Sequence, residues 1–139
     1  MENKIYKPLF DKMYWIVLYP TVTLLAIFTV LAAFAPLLLI LMLPVDLFTV
    51  YFLITPLFGY VEVRESSLYI KCGLILKRDI PFDKIRSVSK KNVCYSDSMI
   101  SLKHSAEHLT VEYSDSDLIS ISVVGNDELM SEIKARIAK

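Results

Sequence analysis

The chain has 139 residues, is 55% hydrophobic and balances fifteen Lys or Arg against fifteen Asp or Glu. Its mean hydropathy is positive, which excludes an ordinary soluble domain as the whole answer. The lack of basic excess argues against nucleic-acid binding, and three glycines are too few for a dinucleotide or phosphate loop.

The apolar residues are not spread evenly. From Met13 to Val61 there are 49 residues with one charge, Asp46, whereas the 78 residues after Val61 carry twelve basic and twelve acidic side chains. As one helix the apolar part would run ~73 Å, more than twice the ~30 Å core of a bilayer. Two crossings fit. Ala33-Phe34-Ala35 has the small-x-small form of a signal cleavage site, but the apolar stretch far exceeds an h-region of ~7–15 residues and Pro36 follows directly.

The first span is predicted to start at Tyr14-Trp15, an aromatic pair suited to the headgroup boundary, and to end near Phe34. Pro36 and Pro44 both disfavour an uninterrupted helix. A turn at Pro36 leaves Asp46 mid-span at ~2.5–3.5 kcal/mol on insertion scales. A turn near Pro44 makes Asp46 a first-turn carboxylate, so the later turn is expected, with residues 36–42 as an outer interfacial segment. Lys4, Lys7 and Lys12 precede the spans, Arg64, Lys71, Lys77 and Arg78 follow them, and none lies between. Both termini are therefore expected in the cytoplasm. The resulting division is an N-terminal tail over 1–13, a transmembrane hairpin over 14–60 and a cytoplasmic domain over 61–139. Cys72 and Cys94 lack metal-type spacing and read as thiols, Cys72 in the core.

Past Gly59 the period changes. Tyr60–Arg64 alternates apolar and polar as a half-buried strand does. Further strands are expected at Leu68–Cys72, Leu74–Ile80, Ile85–Ser89, Met99–Leu102, Leu109–Tyr113 and Leu118–Val123, making about seven. Gly125-Asn126 opens a helix with Asp127 and Glu128 in its first turn and Lys134, Arg136 and Lys139 near its end. Leu129, Met130, Ile133 and Ile137 form its apolar stripe. The fold class is α+β: a two-helix membrane hairpin, then a curved antiparallel sheet closed by an amphipathic C-terminal helix.

The order of these elements, with Gly59-Tyr60-Val61-Glu62-Val63, Leu68-Tyr69-Ile70-Lys71-Cys72-Gly73, Ile80-Pro81-Phe82-Asp83-Lys84-Ile85, Ser96–Lys103 and Ser120-Ile121-Ser122-Val123, resembles the bacterial pleckstrin-homology-like membrane proteins. That resemblance implies a PH-like fold more than an activity. It also implies an alternative role, because some related domains are associated with protection against bacteriocins or with envelope stress.

Three candidate sites stand out. His104-Ser105-Ala106-Glu107-His108 has the inverted zinc-protease spacing, with Glu112, Asp115 or Glu128 as a third ligand. It lies between two strand-like runs with little room for a ligand-bearing helix, so a solvated hairpin tip is expected instead. Ser96, Ser98 and Ser101 lack a base and an oxyanion pocket, and bond to turn backbone more simply. Lys77, Arg78, Lys84, Arg86, Lys90, Lys91 and Lys103 are candidates for a membrane-facing or partner-facing rim. The resemblance implies phosphate binding from a basic first hairpin in eukaryotic relatives, but here that hairpin is Arg64-Glu65-Ser66-Ser67. The expectation is a non-enzymatic, membrane-tethered module without cofactor or nucleic acid, contacting the bilayer and a protein, peptide or lipid partner, with self-association left open.

Overall fold

The computed structural model describes residues 3–96, 98 and 101–138. Residues 1, 2, 97, 99, 100 and 139 lie outside the described residues, and with them the expected first half of the Met99–Leu102 strand, Asp97 of the Ser-Asp-Ser loop and the terminal Lys139.

Two long helices come first, α1 (Lys12–Ala32) and α2 (Pro36–Ile54), the latter running into a 3₁₀ turn at Thr55–Phe58. Both are long and apolar enough to cross a membrane, and Ala32 is the one buried residue among them. The reversal falls at residues 33–35, and this corrects the expected turn near Pro44. Pro36 occupies the first turn of α2, where a missing N–H costs nothing, while Pro44 and Asp46 are in the helix interior. Residues 36–42 are therefore helix and not an interfacial segment. Asp46 Oδ2 lies 2.6 Å from the Thr29 hydroxyl across the hairpin, the hydroxyl also lies 2.8 Å from the Leu25 carbonyl, and Asp46 Oδ1 is buried without a hydrogen-bond partner.

Among the described residues the rest of the chain forms two four-stranded sheets, where the sequence predicts one curved sheet of about seven strands. Strands β1 (Lys4–Tyr6), β2 (Tyr60–Val63), β3 (Ser67–Lys71) and β4 (Lys77–Pro81) pair antiparallel in that order. The second sheet has the order β5-β7-β8-β6, from β5 (Ile85–Asn92), β6 (Ser101–Leu102), β7 (Glu107–Tyr113) and β8 (Asp117–Ile121). Pro81 and the 3₁₀ turn Phe82–Lys84 divide the sheets, since Ile85 pairs with Tyr113 of β7 and not with β4. The eighth strand comes from the expected tail. Lys4, Ile5 and Tyr6 lie opposite Val63, Glu62 and Val61.

One core joins both sheets to helix α3 (Asn126–Ile137). Val61 and Val63 face inward from β2, as the alternation predicts, and Leu68, Ile70, Leu102, Ile119 and Ile121 are fully buried. Leu129 and Ile133 of α3 are fully buried as well, with Met130 and Ile137 packed beside them. Cys72 is a buried free thiol, pushed up to about 11 by its burial, and Cys94 is free and exposed.

Candidate interaction surface at the base of the hairpin

The hairpin is inserted between two neighbouring strands. β1 leads into α1, the 3₁₀ turn after α2 leads into β2, and β1 and β2 are paired. Between β1 and α1 the chain laces the sheets together: Val124 N donates to the Lys7 carbonyl, Leu9 N to the Ser122 carbonyl at 2.9 Å, and Phe10 bridges His104. Asp11 then caps α1, with Oδ1 accepting from Met13 N at 2.9 Å and Tyr14 N at 3.3 Å. Its other oxygen accepts from Ala106 N at 2.8 Å, and Asp11 N donates to the His104 carbonyl. Desolvation pulls this carboxyl upward, but the amides of Ala106, Tyr14 and Met13 and the Ser105 hydroxyl prevail and hold it below the usual range. Tyr14 closes the base by donating to the Leu53 carbonyl of α2 at 2.6 Å.

His104 sits inside this junction. Its ring stacks on Phe10 at 5.3 Å and meets Tyr14 edge-on at 5.5 Å. Nε2 is buried without a hydrogen bond, and burial pulls the imidazole down to about 4. A cavity of about 240 Å³ opens beside it, lined by Asp11, Tyr14, Val17, Cys94, Lys103 and His104. His108 is fully buried in β7, with Nδ1 3.0 Å from the Ala106 carbonyl. The expected solvated hairpin tip is thus overturned, because aromatic rings from the N-terminal segment cover it. The helix that would set both imidazoles on one face does not form, and among the described residues no three His, Cys, Asp or Glu side chains gather as ligands.

The seven basic residues fall in different surroundings. Lys77 stands exposed at the β3–β4 turn, opposite Lys71. Arg78 and Lys84 line a cavity of about 170 Å³ with Asp117 and Ser114. Arg86, bulged out of the β5–β7 ladder, pairs with Asp115 at 3.1 Å. Lys90 bridges Glu107 at 3.0 Å and Asp127 at 2.8 Å, Lys91 is exposed beside it, and Lys103 donates to the Tyr95 carbonyl. Ser96 and Ser98 bond to each other as turn residues do.

Asp11, Phe10 and Tyr14 were not singled out from the sequence as site residues. An Asp just before an apolar run is a readable N-cap signal, but its second bond, to an amide 95 positions away, has no local signature. No curated protein and no solved structure matches the chain. Residues 59–137 match the family model described as Bacterial PH domain. That stretch is more than half of the chain and runs from the glycine before β2 through the end of α3, so the protein belongs to the bacterial PH domain family.

Proposed function

We propose that this protein is a non-enzymatic interaction module held at the cytoplasmic face of a bacterial membrane by its helical hairpin. The carrying observation is the insertion of the hairpin between paired strands β1 and β2, with Asp11 fastening the base of α1 to the 104–106 loop. A domain joined this way is held close to the point where the helices end and cannot swing on a linker. Tethering raises the effective concentration of partners in the same membrane. PH domains are in general non-enzymatic, which favours binding over chemistry. The outer edges at β4 and β5 offer backbone groups for strand addition by an extended peptide.

Two measurements test the reading on the full chain. Cys94 is exposed while Cys72 is buried with a raised thiol pKa, so Cys94 is the labelling site. An impermeant maleimide should label it in opened but not intact cells, with the protein in the membrane fraction; labelling in intact cells overturns the cytoplasmic placement. Tagged protein from native membranes in mild detergent should then carry a specific partner that a Lys90→Glu/Lys91→Glu variant loses. Recovery of bulk lipid alone from both forms sinks partner recruitment and shifts weight to envelope protection.

A further inference from the structure

The turn between β3 and β4 differs from the other turns of the domain. Leu74, Ile75 and Leu76 are 45%, 72% and 57% exposed. Turn tips ordinarily carry Gly, Asn, Asp, Ser or Pro for conformational reasons, as Arg64-Glu65-Ser66 and Ser114-Asp115-Ser116 illustrate here. Only Gly73 in this turn answers that need, with φ of +147°. The turn is closed by Cys72 N donating to the Leu76 carbonyl at 2.8 Å, which leaves the three apolar side chains outside the core.

The fold fixes where this tip lies. β2 begins at Tyr60, directly after the 3₁₀ turn; Tyr60 is opposite Lys71, and Lys71 is opposite Lys77. The tip therefore projects from the end of the sheet that adjoins the hairpin. A Cβ added at Gly73 would fall 2.0 Å from Thr55 Cγ2 and 3.1 Å from the Thr55 carbonyl oxygen, so the turn touches the end of α2. Leu57 and Phe58 of the 3₁₀ turn that follows α2 are also about half exposed.

The charges around the tip supply a second, independent observation. Lys71 and Lys77 are direct cross-strand partners, a like-charge pairing that destabilises a sheet. Neither makes an ion pair among the described residues, although Lys71 lies over the Tyr60 ring at 5.7 Å. An anion between them removes the repulsion. Apolar side chains flanked by cations match the acyl boundary and anionic head groups of one leaflet.

We propose that the Cys72–Lys77 turn is a second membrane attachment, in which Leu74, Ile75 and Leu76 enter the headgroup–acyl boundary beside α2 while Lys71 and Lys77 share an anionic lipid phosphate. The inference rests on the tethered reading above. It adds that the sheet has a fixed height and tilt at the bilayer surface.

The test uses the full chain with Cys94→Ser, reconstituted in nanodiscs of phosphatidylcholine with or without phosphatidylglycerol. An environment-sensitive dye is attached at Ile75→Cys, at Ser66→Cys on the opposite turn, or at Leu38→Cys in the hairpin, and quenched by nitroxide-bearing lipids. The expected result is quenching at Ile75→Cys several-fold above that at Ser66→Cys, greater with phosphatidylglycerol, with that increment lost in Lys71→Gln/Lys77→Gln. Quenching at Leu38→Cys but not Ile75→Cys overturns this inference alone. Absence of quenching at both overturns the tethered reading with it. A blue-shifted, unquenched dye at Ile75→Cys, together with capture of another chain when a photo-activated cross-linker replaces the dye at the same cysteine, assigns the tip to a protein and overturns the lipid proposal.

Discussion

The hairpin and the β-domain use the same residue types in opposite ways. Leu37, Leu47 and Phe34 are 74%, 71% and 86% exposed, whereas Leu68, Leu109 and Ile121 are fully buried. In α1 and α2 apolar residues occupy every side of the helix, which supports the proposed membrane hairpin, whose whole circumference would meet an apolar medium. In β2 they alternate, and in α3 they form one stripe, the pattern of elements that divide a core from water. Hydrophobicity thus states how much surface must avoid water, and its period states what covers that surface.

The largest expected effect breaks this comparison if the periods have been misread. Leu109 is fully buried in β7, within the common core, so Leu109→Ala should cost the domain about 2–5 kcal/mol, transfer term and cavity together. Leu38, 54% exposed in α2, presents no such cavity, and Leu38→Ala should change domain stability by less than about 0.5 kcal/mol. Thermal unfolding in mild detergent, followed by near-ultraviolet circular dichroism, checks both. Equal losses would mean that α2 contributes to the same packed core.

The comparison also explains what could be read locally and what could not. The strands at Tyr60–Val63, Ser67–Lys71 and Glu107–Tyr113 and the face of α3 follow from short-range pattern, because each buried set repeats at its own period. β1 has three residues, and its partner lies beyond the whole hairpin, so nothing near Ile5 marks it. Pro36 and Pro44 present the same local signal, and the contact of Asp46 with Thr29, 17 positions away on the other helix, has no local signature. Leu74–Leu76 continues the apolar run of a strand in sequence, yet the positive φ of Gly73 turns the chain. The His104 to His108 segment looked solvated because Phe10 and Tyr14, which cover His104, come from some ninety positions upstream.

A smaller effect sharpens the comparison at the joint between the regions. Asp11 is both helix cap and cross-link, so Asp11→Ala should cost about 2 kcal/mol through a lost cap and an unpaired amide. Asp11→Asn separates the two roles, because its single carbonyl oxygen can keep the cap while losing the bond to Ala106. Trp15, the only tryptophan and 6.5 Å from the Phe10 ring, is placed to report the change by fluorescence. If Asn behaves as Asp does, the Ala106 bond contributes nothing to holding the domain on the helix.

The most local of the expected effects is a pH dependence centred on His104. Burial holds its imidazole at about 4, below the ordinary ~6.5 of an unfolded chain, so between these values the unfolded state binds the extra proton. Stability must therefore rise with pH across that window, be complete above ~6.5 and be lost as pH falls toward ~4, at no more than about 1.4 kcal/mol per pH unit. Asp11, held below the usual carboxylate range, stays ionised through most of the window, so His104 dominates the local titration. Unfolding midpoints measured at pH 7 and pH 5 should differ in the native chain, and His104→Phe, which keeps the stack on Phe10 and removes the titrating group, should reduce that difference. A difference unchanged by His104→Phe would place the proton uptake elsewhere and leave the junction as a purely apolar seam.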